Sequence, residues 1–369
     1  MAVHQKRKET RQDNMAFVTQ LHPILDAQKE HGPIFRRELF DIAYKSWISI
    51  DENAPENRVS PEQESDHLRR LLNTKAVVAD IHGIKHETTL FREGRLREIH
   101  GQTYKFDRCW IYHDIQDLGH HYANGDRNLL PFNFGSSDGP VQEELDGETI
   151  PPDFHTKAAE FRSEWETSEI HHHLVAFLHE NAGTTTPVDQ ILCFGLGSPV
   201  SSPHPRQLRR SYTQHLAACT IRDVYALEQN ARAPQIFAQD PCYTRKDTLY
   251  LSTHFSTSVL PDPEAFRALT GSTFVVSISP DVPVRQVALG MTHGSGGPAG
   301  FLCSAIEDDG LGGKSVIMRN GDVVTHFADE SSPELQRFKG RSVWGEWGEL
   351  EGGRERECFG RVGCYLKRG

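Results

Sequence analysis

The stretch ILCFGLGSPVSSPHPRQLRR, residues 191–210, decides the fold that this sequence predicts. Its apolar start is typical of a buried strand, and the glycines, serines and prolines that follow predict a loop. The basic end of the stretch opens a long helical segment. A strand, a loop and a helix in this order begin a βα unit of an α/β protein. Whether the loop contacts a ligand or is only a structural turn stays open at this point.

The same alternation of strands and helices continues along the chain after residue 188. Apolar strands with intervening helices predict a mostly parallel sheet, covered on both faces and connected by right-handed crossovers. We therefore expect an α/β fold with a Rossmann-like three-layer core. The predicted strands are ILCFGL, QIFAQ, TSVL, TFVVSI and FLCSAI.

The remainder of the chain predicts further regions on either side of this core. Helical spacing near the N-terminus, followed by alternating apolar residues, indicates an α+β N-terminal region, and a segment rich in Gly, Asp, Asn and Pro follows it. The predicted regions are a disordered basic arm at 1–14, the α+β region at 15–115, a loop or linker at 116–155, the Rossmann-like domain at 156–310 and a C-terminal extension at 311–369.

Composition excludes several classes of protein. The chain of 369 residues is 37% hydrophobic and 25% charged, which is typical of a soluble folded protein. No apolar run is long enough for a membrane-spanning helix, so we expect no membrane partner. The formal net charge of −11 disfavours extended nucleic-acid binding. The scattered cysteines and the polar N-terminus predict a reducing location, cytoplasmic or nuclear.

The loop after the first core strand is the first candidate site. Gly195 and Gly197 permit backbone conformations and close approach that a Cβ would prevent, and Ser198 offers a hydroxyl. GLGSP is neither a GxGxxG fingerprint nor a P-loop, and it lacks the acidic residue expected before the glycines of a methyltransferase. In a parallel sheet, ligands bind beyond the carboxyl ends of the strands. The loop therefore predicts ligand contact, with a structural turn as the alternative.

Two later loops are expected at the same edge of the sheet. In AQDPCYT, Asp240 can accept hydrogen bonds from a ribose or an amine, and Tyr243 lies beside it; the alternative for Asp240 is helix capping. In SPDVPVRQ, Ser279 lies in a turn, and Arg285 is expected to hold a phosphate or carboxylate. A salt bridge that ties the loops together is the alternative for Arg285.

The basic and histidine-rich segments carry weaker predictions. Arg206, Arg209 and Arg210 form a basic cluster at the start of the helix, which is a candidate contact for nucleic acid or an ordinary solvated face. The histidines and cysteines show no spacing typical of a metal site, so we expect no metal ligands. No cofactor is indicated by a motif.

Together these loops resemble the sensitivity-to-red-light-reduced-like (SRR-like) domain family. The resemblance rests on ILCFGLGSP, AQDPCYT and SPDVPVRQ, which occur in order across about residues 190–290. It implies a Rossmann-like core and a regulatory or biosynthetic-accessory role, with no general reaction. The N-terminal helices and the long tail look like the extended fungal-type members. On this resemblance, the motif residues would bind a small anionic or nucleotide-like ligand.

The chain also resembles the cyclodipeptide synthases, which suggests an enzyme of secondary-metabolite biosynthesis. In that family a serine after a strand accepts an aminoacyl group from a charged tRNA. The resemblance implies that Ser198 is the acyl acceptor of a transferase and that Asp240 or Tyr243 positions the amino group. The DDxxE motif of fungal members is not met, because Asp308 and Asp309 are followed by Gly310 and Leu311 and then by Gly312 in place of the glutamate. The binding protein and the transferase are the first two hypotheses that the sequence leaves, and a protein-interaction scaffold without a ligand is the third.

Overall fold

The computed structural model of the chain describes residues 21–48, 75–89, 95–99, 102–140, 150, 154–229, 232–311, 316–319, 322–326, 328–347 and 358–369. The predicted basic arm at 1–14 lies outside these ranges. The chain divides into two compact units. Unit 1 comprises Met1–Asp146 with Leu311–Gly313, and unit 2 comprises Gly147–Gly310 with Lys314–Gly369.

Unit 1 is an α+β unit, as predicted for the N-terminal region. Its sheet pairs are antiparallel, and its core is aromatic: the Phe40 ring stacks on Trp110 with ring centroids 5.3 Å apart, and Phe132 packs edge-on against Phe40. Its elements are α1 (residues 21–31), α2 (Arg37–Ile48), β1 (Lys75–Ala79), β2 (Lys85–Thr89), β3 (Arg95–Ile99), β4 (Gln102–Tyr112), α3 (Ile115–Ala123) and β5 (Phe132–Pro140).

The segment predicted as a linker, 116–155, contains regular structure instead of loop alone. Asp114 caps α3, because its side chain accepts from the Asp117 amide while the Asp117 side chain accepts from the Asp114 amide. Strand β5 pairs with β4 in a register that sets Phe132 opposite Tyr112. A capping box and pairing with a neighbouring strand thus override a composition rich in Gly, Asp and Asn.

Unit 2 contains the predicted Rossmann-like sheet. Its strand order is β13-β14-β10-β9-β6-β7-β8, and the strands from β10 to β8 are parallel. Strand β14 runs antiparallel to both neighbours. The elements are α4 (Phe154–Glu166), α5 (Glu169–Asn181), β6 (Gln190–Phe194), α6 (Pro205–Glu228), β7 (Gln235–Gln239), α7 (Arg245–His254), β8 (Thr257–Val259), α8 (Glu264–Arg267), β9 (Thr273–Ser277), α9 (Val284–Met291), β10 (Gly300–Ser304), β11 (Val316–Arg319), β12 (Asp322–His326), α10 (Pro333–Arg341), β13 (Ser342–Trp347) and β14 (Val362–Lys367).

Both faces of the central strand β6 are buried, which is why its sequence is continuously apolar. Ile191 and Cys193 belong to the core cluster that α4, α5 and α6 cover. On the other face, the Phe194 ring stacks on Phe266 of α8 at 4.5 Å. Burying one such side chain contributes roughly 1.5–3 kcal/mol. The predicted three-layer α/β core is confirmed.

The tail beyond residue 311 completes the sheet. Strand β14 pairs with β10 so that Leu302 lies opposite Cys364, and β13 pairs with β14. The Ile306 amide donates to the Tyr365 hydroxyl over 2.7 Å, which fixes the end of β10 to the tail. The predicted C-terminal extension is therefore part of the same unit as the Rossmann-like core.

Candidate functional site

The loops that follow β6, β7 and β9 lie at one edge of the sheet, because these parallel strands are neighbours. The chain runs from β6 to β7 and β8 on one side, and then returns to β9 on the other side of β6. Such a reversal of strand order is the topological switch point where open α/β sheets bind ligands. We call the described residues 195–201, 240–244 and 278–281 the switch-point rim.

Glycines form the turn at the end of β6. Gly195 and Gly197 have φ of 65° and 76°, in the left-handed region that favours glycine. A Cβ at Gly195 would lie only 2.9 Å from the Cβ of Pro280, so the loops after β6 and β9 approach closely there. A Cβ at Gly197 would meet Ser211 at an ordinary 3.6 Å. Gly195 is therefore favoured both by its left-handed backbone conformation and by the close approach of Pro280.

Asp240 joins the loop after β7 to the glycine turn. Its carboxylate accepts from the Gly197 amide at 2.6 Å and from the Cys242 amide at 2.7 Å. Burial raises the pKa of Asp240, and nearby Asp281 adds to the rise. Asp240 is half-buried at the rim.

Ser198 is held by a carboxylate that the sequence did not single out. Its hydroxyl donates to Oδ1 of Asp247 at 2.7 Å, and only 8% of Ser198 is exposed. The same oxygen accepts from the Val200 amide at 3.0 Å, and Oδ2 accepts from the Thr244 amide at 2.8 Å. Thr244 and Asp247 also form the capping box of α7, and that T-x-x-D spacing was the available signal for Asp247.

A chain of hydrogen bonds continues from Tyr243 into α6. His215 Nδ1 donates to the Ser211 carbonyl at 2.7 Å, since a carbonyl only accepts, and Nε2 of the neutral ring accepts from the Tyr243 hydroxyl at 2.8 Å. The Ser211 hydroxyl donates to the Gly197 carbonyl at 2.6 Å. Burial lowers the pKa of His215 to about 4. Sequence reasoning missed His215, because a single histidine in a helix gives no signal.

The loop after β9 places its two predicted ligand residues differently. Ser279 is exposed at the rim with a φ of 52°, and its Oγ lies 3.4 Å from Ser304 Oγ. The Arg285 side chain is buried: Nε donates to Asp329 Oδ2 at 2.9 Å, and Nη1 donates to the Ser304 carbonyl at 2.9 Å. A salt bridge was the alternative prediction for Arg285, and the contact with Asp329 is a buried salt bridge. The ligand role of Arg285 stays a prediction.

The basic cluster does not form a single surface. Arg209 pairs with Glu164 of α4 at 3.4 Å and lies over the Phe161 ring. Arg210 donates to the Ile278 carbonyl at 2.9 Å, which ties α6 to the loop after β9. Arg206 is exposed at the first turn of α6. Nucleic-acid contact by these residues stays a prediction.

Two features are absent from the described ranges. No group of His, Cys, Asp and Glu within them is arranged to hold a metal ion. Within the same ranges, no helix combines the length and the apolar character that crossing a membrane requires.

Comparison with known proteins identifies one family. The family model for the SRR1 domain matches residues 167–334. Searches of curated proteins and of solved structures found no match. The matched segment holds all three loops of the switch-point rim and also Asp329, the partner of Arg285. Residues 167–334 of the chain thus form an SRR1 domain, as the resemblance to the SRR-like domain family predicted.

Proposed function

We propose that the SRR1 domain binds a small nucleotide-like ligand at the switch-point rim, in a regulatory or biosynthetic-accessory role. The observation that carries the proposal is the meeting of three loops where the strand order reverses. Gly195, Asp240 and Ser279, each placed there by a different strand, lie in these loops. Open sheets of this kind bind ligands in the crevice at that point.

The hydrogen bonds of the glycine turn favour a ligand that is uncharged on the side facing the turn. The Gly197 amide donates to Asp240, and the Val200 and Ser201 amides donate to Asp247. These amides would otherwise be the donors for a phosphate group. Two carboxylates of the protein therefore already take the position that a bound anion would need. The anionic alternative is thereby disfavoured at this turn.

The same contacts favour a binding role over acyl transfer. An acyl acceptor must reach its substrate, whereas the Ser198 hydroxyl is buried and donates to Asp247. The Tyr243 hydroxyl donates to the neutral His215 ring, so its proton is also engaged within the protein. No observation at the rim favours the transferase, and we do not propose it.

Ligand binding at the rim is testable by thermal unfolding and titration calorimetry of the full chain. The probes are adenosine, guanosine, AMP, ATP, NAD⁺ and S-adenosylmethionine. We expect at least one probe to raise the melting temperature saturably, and Gly195→Ala to weaken that binding, because its Cβ meets Pro280. Gly183→Ala is the matched control, since Gly183 has open space around its Cβ position. The proposal fails if no probe binds, or if folded Gly195→Ala binds as the wild type does.

A further inference from the structure

We infer that the ligand is a nucleoside without a 5′-phosphate at the glycine turn, and that Asp240 holds its ribose hydroxyls. The inference rests on the proposed function and names the ligand class of the same site. Three features carry it: the place of Asp240 in the βα order, the acceptor positions of its carboxylate, and the charge around it.

The place of Asp240 is that of a ribose-binding carboxylate. Asp240 follows β7 directly, and β7 is the second strand of the unit formed by β6, α6 and β7. In dinucleotide-binding units, an acidic residue near the end of the second strand accepts from the ribose hydroxyls, beside the glycine turn of the first strand. The Gly197–Asp240 hydrogen bond shows that the two features are adjacent in this chain.

The Asp240 carboxylate retains acceptor capacity for a diol. An ionised carboxylate has about four acceptor positions. The amides of Gly197 and Cys242 use one position on each oxygen. The exposed Cys242 thiol also bonds to the carboxylate, but a thiol is a weak donor that a ribose hydroxyl can displace. A vicinal diol can then donate one hydroxyl to each oxygen.

The charges at the rim disfavour a phosphate next to this diol. Asp281 is exposed and lies close enough to raise the pKa of Asp240. The Asp247 carboxylate holds the following turn of the chain. Arg210 interacts electrostatically with Asp281, and its guanidinium is held in place by donation to the Ile278 carbonyl. A neutral nucleoside, or one with a cationic 5′ substituent, matches these charges, whereas a 5′-phosphate meets carboxylates.

The first test changes the ligand and leaves the protein intact. Titration calorimetry of the full chain would compare adenosine, guanosine, cytidine and uridine with their 2′-deoxy and 3′-deoxy forms, with AMP, and with S-adenosylmethionine. We expect loss of either hydroxyl to weaken binding by about tenfold or more, because a hydrogen bond to a charged group contributes about 1.5–3 kcal/mol. AMP should bind more weakly than adenosine.

The outcomes separate this inference from the proposed function. If deoxynucleosides bind as tightly as ribonucleosides, or if AMP binds more tightly than adenosine, the inference is overturned while binding at the rim stands. If only NAD⁺ or ATP binds, the inference is likewise overturned. If no probe binds at all, both the inference and the proposed function fail.

The second test uses Asp240→Asn and measures the ratio of the dissociation constants of deoxyribonucleosides and ribonucleosides. This ratio does not depend on the fraction of folded protein. In the wild type, the ratio of deoxy to ribo dissociation constants should be about tenfold or more. In Asp240→Asn it should fall towards unity, because the amide cannot accept from both hydroxyls. Asp189→Asn, an exposed carboxylate at the amino end of β6, is the matched control and should keep the wild-type ratio. An unchanged ratio in Asp240→Asn overturns the inference.

Discussion

The Gly197 amide donates to the Asp240 carboxylate over 2.6 Å, so two predicted site residues from different loops are bonded directly to each other. The bond joins the end of β6 to the end of β7. It also gives the glycine turn an internal anion, in place of the ligand phosphate that glycine-rich turns of other α/β sheets bind. The stability of the rim and its ligand preference therefore depend on the same carboxylates.

Asp247 should be the carboxylate on which the stability of the rim depends most. It is fully buried and accepts from Ser198, Val200 and Thr244. Asp247→Ala leaves these donors unsatisfied, and each buried unsatisfied donor costs about 1–3 kcal/mol. We expect the free energy of unfolding to fall by about 3 kcal/mol or more in urea titrations. Asp223→Asn, on the exposed face of α6, is the control; equal effects of the two variants would contradict the assignment.

The two glycines of the turn should differ in their tolerance of alanine. Both residues have positive φ, and the left-handed conformation costs a residue with a Cβ about 1–2 kcal/mol. Gly195→Ala also brings its Cβ to 2.9 Å from Pro280, whereas Gly197→Ala makes only an ordinary contact. Chemical denaturation should therefore rank the losses as Gly195→Ala, then Gly197→Ala, then Gly183→Ala. A larger loss for Gly197→Ala than for Gly195→Ala would show that close approach to Pro280 is unimportant.

The sequence was sufficient for the core but not for the side-chain contacts of the rim. Continuous apolar strands such as β6 predict a doubly covered parallel sheet, and strand adjacency then brings Gly195 and Asp240 to one edge. Partners distant in sequence are not encoded by local spacing. The local sequence indicates only a helix cap at Asp247 and an ordinary helical residue at His215. The contacts of Asp247 with Ser198 and of His215 with Tyr243 are therefore visible only in the structure.

Contacts between residues distant in sequence also explain why the structure of the tail and of the predicted linker differs from the prediction. The VPVRQ segment predicted a ligand-binding arginine, but Asp329, which pairs with Arg285, lies beyond a hairpin and has no recognisable motif around it. Strand β14 pairs with β10 across a long sequence separation. In segment 116–155, composition predicted a loop, while pairing of β5 with β4 decided the structure.

His215 should make the stability of unit 2 depend on pH. Its pKa is lowered by burial from 6.5 to about 4, so the unfolded chain binds the proton more readily than the folded chain. The contribution of the neutral His215 ring to the free energy of unfolding is complete above about pH 6.5 and is lost as the pH falls towards about 4. The loss should approach about 3 kcal/mol at the acid end of this window.

His215→Gln removes this titration. Urea unfolding at a series of pH values should therefore show a shallower decline for His215→Gln than for the wild type between these limits. Exposed His293 serves as the control position, and His293→Gln should retain the wild-type slope. Parallel curves for the wild type and His215→Gln would contradict a neutral, buried His215.

The buried pair of Arg285 and Asp329 should show strong non-additivity. Both side chains are buried, and the guanidinium also donates to the Ser304 carbonyl. Arg285→Met leaves the Asp329 carboxylate buried without its cation, and breaking a buried pair in this way costs about 3–5 kcal/mol. Asp329→Leu should cost a similar amount because it leaves the guanidinium unpaired. The double variant should lose less than the sum of the two, since an apolar pair leaves no buried charge.

A double-mutant cycle in urea measures this coupling directly. We expect a coupling free energy of about 2 kcal/mol or more in favour of the pair. Arg337 and Glu334, a pair on α10 whose arginine is exposed, provide a control cycle that should give less than about 1 kcal/mol. Additive losses of unfolding free energy at Arg285 and Asp329 would mean that the salt bridge does not stabilise the contact between the VPVRQ segment and Asp329.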